Sequence, residues 1–390
     1  MIFTPSRRAV VAGLSALGFV PARARAASLP IEAKFVVEDR RLWVAATVNG
    51  GEPLMFIVDT GATGNFLRPE LAKKYNLPVV SAEVVGGAGG RTANTGVAEA
   101  REVAIGGAFR QKRVLFSTYD FGRGLPDDAA GLFAAGLFTE FDTDLDFAGG
   151  TWRIWPKGRE GAPKGVKLDD SAITMLGGRR GSERMYVTAI IDGKPYRLLV
   201  DTGAPGSLVL FPRASARSGL FEGRNFAPQA TRGFGGAASR LSRKVRAERL
   251  QLGPLNLKRP FVTLMDPSQA STFDTDGILG LPLISLFDIS TQAQAGKLWL
   301  ARNALKPTAD PYGRGGLWFC RKGTETTIAA VGKGSPAEAA GILAGDIVVT
   351  SATMADTIKM VEGELGREIV LPIRRDGIVS ERKFVLADYL

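Results

Sequence analysis

The sequence predicts a mainly β protein: two repeated β lobes related by pseudo-twofold symmetry, followed by a small α+β module. Three observations carry this. The chain repeats itself in three blocks in the same order. Its apolar residues fall in alternating or short continuous runs separated by glycine-rich turns, with 48 glycines among 390 residues. After a second Pro/Gly-rich stretch the pattern changes and helix-start signals appear.

The first block of the repeat is "LWVAATVNGGEPLMFIVDTGA" (Leu42–Ala62) against "MYVTAIIDGKPYRLLVDTGA" (Met185–Ala204). Each reads as a strand, a Gly-containing turn and a second strand that ends at an acidic tripeptide. The second block sets "VVGGAGGRTANTGVAEAREVAIGGAF" (from Val84) against "TRGFGGAASRLSRKVRAERLQLGPLNL" (from Thr231), a glycine-rich hairpin tip followed by an alternating strand. The third sets "GLFAAGLFTEFDTDLDFAGGTWRIW" (from Gly131) against "GILGLPLISLFDISTQAQAGKLWLA" (from Gly277). The repeat divides the chain into a first lobe over 31–155, a linker over 156–182 and a second lobe over 183–303. A further Pro/Gly-rich linker covers 304–314, and the last module spans 315–390. In that module Ser335 reads as an N-cap, Pro336 as the first helical residue and Glu338 as the partner in a capping box.

Residues 1–26 stand apart. Arg7 and Arg8 precede a short apolar stretch, Ala9–Val20, and Ala24-Arg25-Ala26 makes an A-x-A end. This is the shape of an export signal of the twin-arginine or the ordinary secretory type, with cleavage near Ala26 or Ala27 and a periplasmic or secreted product. No later run is long and apolar enough to span a membrane.

Composition excludes several chemistries. There is no histidine, which removes serine–histidine and cysteine–histidine catalysis and most zinc sites. Cys320 is alone, so no intramolecular disulfide forms, and its apolar flank reads as packing. The formal charge is +11, of which Arg7, Arg8, Arg23 and Arg25 lie in the signal. The remaining basic residues are not interleaved with stacking aromatics, so no nucleic-acid face is expected. Asp142, Asp144 and Asp146 alternate along a strand and read as solvent-facing residues, not as a metal loop. No metal and no cofactor is expected.

The candidate chemistry lies in the two acidic tripeptides. Apolar strands lead Asp59 and Asp201 to partly buried positions, and Gly61 and Gly203 let the backbone turn immediately afterwards. Packing of the lobes about a pseudo-twofold axis would bring the two carboxylates together. A close pair shares one proton, so that one member can take a proton from water while the other polarises a carbonyl.

These features resemble the retropepsin-like family of aspartic proteases, in the tandem form found in exported bacterial members. The residues that carry the resemblance are "VDTGA" at Val58–Ala62 and Val200–Ala204, the glycine-rich hairpins, and Ile278-Leu279-Gly280. The resemblance implies two acid-protease β-barrel lobes, Asp59 and Asp201 as the catalytic pair, and peptide or protein substrates. It implies that Thr60 and Thr202 hold the two loops together and that Gly61 and Gly203 admit substrate near the backbone. Gly87, Gly89, Gly90, Phe234, Gly235 and Gly236 would form flaps over the substrate. Ala134 stands where the family has glycine. The C-terminal "GGLWF" and "GSPAEAAGILAGDIVV" resemble a bacterial PDZ domain, which implies capture of a peptide C-terminus by Leu317, Trp318 and Phe319. One chain carries both aspartates, so a monomer is expected. The competing class is a non-catalytic peptide-binding or adaptor protein on a degenerate protease fold.

Overall fold

The computed structural model describes residues 29–390 except 87–91, 121–123, 175–182, 234–235, 238–239, 271–272 and 309. The signal-like segment and most of both hairpin tips therefore lie outside the described residues.

The first lobe contains β1 (Ile31–Glu38), β2 (Arg41–Val48), β3 (Leu54–Asp59), β4 (Asn65–Leu67), β5 (Val79–Gly86), β6 (Thr92–Ile105), β7 (Phe109–Thr118), β8 (Ala129–Ala134), β9 (Asp142–Asp146) and β10 (Thr151–Trp155). Six of these close into a barrel in the order β2-β3-β8-β4-β7-β6, with β6 returning to β2. The turn from β2 to β3 passes through Asn49 (φ 52°) and Gly50 (φ 75°), both left-handed, and Gly51 N–H donates to Val48 O at 2.9 Å. β3 pairs parallel with β8, and both are apolar on two faces because both sides are covered. The core centres on the stacked Phe56 and Phe133, with Phe116 beside them.

β11 (Val166–Leu168) and β12 (Ala172–Thr174) come from the segment read as a linker, and they pair with strands of the second half. The second lobe follows with β13 (Arg184–Ile191), β14 (Lys194–Asp201), β15 (Leu208–Leu210), β16 (Ala227–Gln229), β17 (Arg232–Gly233), β18 (Gly236–Ala237), β19 (Ser242–Arg246), β20 (Arg249–Leu252), β21 (Leu255–Lys258), β22 (Phe261–Leu264), β23 (Gly277–Gly280), β24 (Phe287–Gln292) and β25 (Lys297–Arg302). Its sheet repeats the first lobe's plan: β14 runs parallel to β23, and β15 parallel to β22. The first hairpin again turns on a left-handed pair, Asp192 and Gly193.

The lobes share a base. β9 pairs with β24, which joins the two halves into one sheet of thirteen strands. Beside that joint the hydroxyls of Thr143 and Thr291 lie 3.1 Å apart, and Thr143 N–H donates to Thr291 Oγ1 at 3.0 Å. The aspartates of this base alternate with buried Thr143 and Leu145 on the more open face of β9, as the sequence suggests, but they are partnered there. Asp142 accepts from the backbone N–H of Arg159 and of Ala293, and Asp144 pairs with the Arg159 guanidinium.

The last module is a five-stranded antiparallel sheet in chain order: β26 (Leu317–Lys322), β27 (Glu325–Val331), β28 (Ile347–Val348), β29 (Glu368–Arg375) and β30 (Ile378–Val385). Two helices, Pro336–Ala339 and Met354–Val361, complete its own apolar cluster around Ile328, Ile342 and Ile373. Ser335 caps the first helix by accepting from Glu338 N–H at 3.2 Å, while the Glu338 carboxylate reaches back to Gly334 N–H at 2.6 Å. Gly341 (φ 72°) ends it after one turn. Cys320 is exposed on β26 and does not pack, because it alternates with the inward Phe319. Among the described residues no helix is long and apolar enough to cross a membrane.

Candidate active site

The site is built where β3 and β14 end. Each strand delivers its aspartate at its last residue, opposite the end of a parallel neighbour: Asp59 is the register partner of Ala134, and Asp201 of Gly280. The continuous apolar strands are what hold these two polar residues at the lobe interface. The two carboxyls face each other across the lobe interface, Asp201 against Gly61 and Asp59 against Gly203.

Each aspartate is also held by its own loop. Asp59 Oδ1 accepts from Gly61 N–H (2.9 Å) and Ala62 N–H (3.1 Å); Asp201 Oδ1 accepts from Gly203 N–H (2.8 Å) and Ala204 N–H (3.0 Å). One oxygen of each carboxylate is thus fixed by two amides. The glycines are required by closeness: a Cβ on Gly61 would lie 2.6 Å from Asp201 Oδ2, and one on Gly203 2.6 Å from Asp59 Oδ1.

The threonines of the tripeptides cross between the lobes. Thr60 Oγ1 donates to Val200 O at 2.7 Å and accepts from Thr202 N–H at 3.0 Å. Thr202 Oγ1 donates to Val58 O at 2.7 Å and accepts from Thr60 N–H at 3.1 Å. Both side chains are buried, so four backbone groups that water does not reach depend on two hydroxyls.

Electrostatics couple the pair. Burial raises the Asp59 carboxyl above the ordinary carboxylate value, against the hydrogen bond from Asp201, the two loop amides and the Arg184 charge, which favour its ionised form. Burial raises Asp201 well above that value, and the neighbouring Asp59 charge adds to it. The two carboxyls therefore hold one proton between them above the ordinary carboxylate range.

Alanine at 134 is accommodated. A Cβ on the equivalent Gly280 would collide with Gly206 O, and Gly280 N–H donates to Ser207 O at 2.9 Å. In the first lobe Ala134 N–H donates instead to the side chain, Asn65 Oδ1, at 2.9 Å. The longer Asn65 link leaves room for the methyl. Asn65 and Ser207 stand six residues after each aspartate, a position that sequence reasoning passed over although the repeat marks it.

The other expected site residues are distributed as follows. Gly87, Gly89, Gly90, Phe234 and Gly235 lie outside the described residues, and Gly236 pairs with Gly233 in the short β17–β18 ladder. Leu317, Trp318 and Phe319 belong to β26, not to the loop that precedes it, with a bulge between Trp318 and Phe319. They lie in the sheet of the last module and are not brought to the aspartates. Among the described residues no cluster of acidic or cysteine side chains could hold a metal ion.

An aspartyl protease family model matches two segments, residues 44–133 and 187–283, one in each lobe, the first containing Asp59 and the second Asp201. The fold is similar to that of Basic 7S globulin from soybean, at 13% identity and a TM-score of 0.38, over 70% of this chain and 94% of that one. No curated protein matches the chain.

Proposed function

We propose that this protein is an aspartic endopeptidase with one active site per chain, in which Asp59 and Asp201 activate a water molecule. The observation that carries the reading is the apposition of two half-buried carboxyls, one from each lobe, each against the other's loop glycine and clamped by the crossed Thr60 and Thr202 bonds. The ionised carboxylate of the pair takes a proton from the water as the water oxygen attacks the peptide carbonyl carbon. The protonated carboxyl donates its proton to the carbonyl oxygen as that C=O becomes a C–OH. As the gem-diol collapses, the carboxyl that had donated takes a proton back from one hydroxyl, C=O re-forms, the C–N bond breaks, and the proton taken from the water passes from the other carboxyl to the leaving nitrogen. The match of both lobes to the aspartyl protease family supports the same reading.

The last module fits a PDZ-type peptide-binding role. β26 is the edge strand of its sheet, and the helix Met354–Val361 packs beside it, an arrangement that accepts an extended peptide as an added strand. Because both aspartates come from one chain, the site needs no second copy. Residues 1–26 would direct export.

The test is incubation of the purified chain, beside its Asp59→Asn and Asp201→Asn variants, with a diverse peptide mixture from acidic to neutral pH. Internal cleavages made by the unmodified chain and by neither variant are the expected result. Peptides bound but never cut would move the assignment to a peptide-binding protein.

A further inference from the structure

We propose that Asp310 is a positioning residue of this site: its buried carboxylate ties the loop that follows Asp201 to the stem of the second-lobe hairpin through Lys244. The inference rests on the aspartic peptidase reading above.

Asp310 lies between the second lobe and the last module, in a stretch whose composition marks it as a linker. It is nevertheless 8% exposed, and Lys244 only 4%. Its two oxygens have different partners. Oδ1 accepts from Lys244 Nζ at 2.6 Å, and Oδ2 accepts from the backbone N–H of Ser207 at 3.3 Å. Lys244 Nζ also donates to Pro311 O at 2.9 Å.

Each partner leads to the site. Ser207 closes the loop that begins at Asp201, and its carbonyl accepts from Gly280, the register partner of Asp201. Lys244 sits in β19, opposite Ala227 of β16 and Thr263 of β22, in the stem of the hairpin that contains the β17–β18 ladder. One carboxylate therefore sets the distance between the loop carrying Asp201 and the stem of the hairpin. The first lobe is built differently: its equivalent of Ser207 is Asn65, and the stretch equivalent to Lys244, Gly96–Ala98, is uncharged.

A buried ion pair is a poor device for stability alone, since an apolar pair of similar volume often serves as well. What an apolar pair cannot supply is the acceptor for Ser207 N–H. The chain also continues from Asp310 into the contact with the last module. Tyr312 packs on Phe261 and Tyr389 (5.4 and 5.5 Å between ring centres), and Phe226 N–H donates to Lys333 O at 3.2 Å beside β16. The module and its linker thus hold both strands of the hairpin stem, and Asp310 is where that grip reaches the loop of Asp201.

The test uses the full chain and a peptide that the unmodified chain cuts. Asp310→Leu/Lys244→Met keeps volume, and the gain from no longer burying two charges offsets the stranding of Ser207 N–H and Pro311 O, so it folds with a denaturation midpoint near the wild type. It is expected to lower kcat roughly ten- to hundredfold with KM within about twofold, as misplacement of a catalytic loop by a fraction of an ångström does. Asp310→Asn/Lys244→Met keeps an amide oxygen for Ser207 N–H and is expected to restore kcat. Amide exchange at Ser207 should rise in the first variant and not in the second. Unchanged kcat in the stable Asp310→Leu/Lys244→Met protein overturns this inference alone. If the unmodified chain cuts no peptide, the peptidase reading fails and takes the inference with it.

Discussion

Replacing Thr60 by valine keeps the volume of the side chain and deletes its hydroxyl. Two backbone groups then lose their partners: Thr202 N–H, now 3.0 Å from Thr60 Oγ1, and Val200 O, at 2.7 Å. Thr60 is 0% exposed and Thr202 1%, so water does not replace the bonds. Each stranded buried group costs ~1–3 kcal/mol, about 2–6 kcal/mol for the two, and valine's apolar gain offsets less than ~1 kcal/mol. A net loss of about 3 kcal/mol is a large share of a typical domain's stability. Equilibrium urea unfolding of the full chain, followed by tryptophan fluorescence, measures it. Thr60→Ser retains the hydroxyl and should recover most of the loss together with peptide cleavage. Because Thr202→Val strands a different pair, Thr60 N–H and Val58 O, it should cost about as much. A Thr60→Val protein within ~0.5 kcal/mol of the wild type would refute the crossed-hydroxyl account, since a net hydrogen bond alone is worth more than that.

Three further outcomes are expected. Gly203→Ala places a methyl against the Asp59 carboxyl, so cleavage should fall at least tenfold while far-UV circular dichroism stays native; full activity would show that the approach is looser than described. The raised proton affinity of Asp201 means that the folded state binds its proton more tightly than the unfolded chain does. The pair thus favours folding below the ordinary carboxylate range, and that advantage is lost as pH rises through the raised value. Asp201→Asn should consequently be inactive yet more stable than the wild type near neutral pH, with the difference vanishing in acid; thermal melts across pH decide. Asp346 behaves oppositely: against the effect of burial, bonds from Arg375 and Leu343 N–H hold its carboxyl below the usual range. Its contribution is present above that range and lost as pH falls through the depressed value. Exchange at β28–β29 amides should therefore rise in strong acid in the wild type, and Asp346→Asn should remove most of that dependence.

Much of this architecture is written locally. The left-handed pairs at Asn49-Gly50 and Asp192-Gly193, the apolar runs ending at Asp59 and Asp201, and the Ser335–Glu338 cap are short-range instructions. Each depends on backbone preference or side-chain period, so the repeated lobes and their paired tripeptides are legible without coordinates. The absence of histidine narrows the chemistry just as directly. Other features depend on residues distant in the chain. Nothing around Asp142 or Asp144 in sequence announces Arg159 or Ala293 as partners. Cys320 has apolar neighbours on one side, and only the strand's orientation exposes it. The raised proton affinity of Asp59 and Asp201 comes from their surroundings: the packed lobes desolvate both carboxyls and set them beside each other. Asp310 is the clearest case. A lone acid among prolines and glycines carries the signature of a solvated linker, and its role exists only because the fold brings Lys244 and Ser207 to either side of it. Local sequence determines which elements form and where their polar ends fall. Desolvation and charge at those ends are properties of the assembled neighbours, and so the tertiary structure alone decides them.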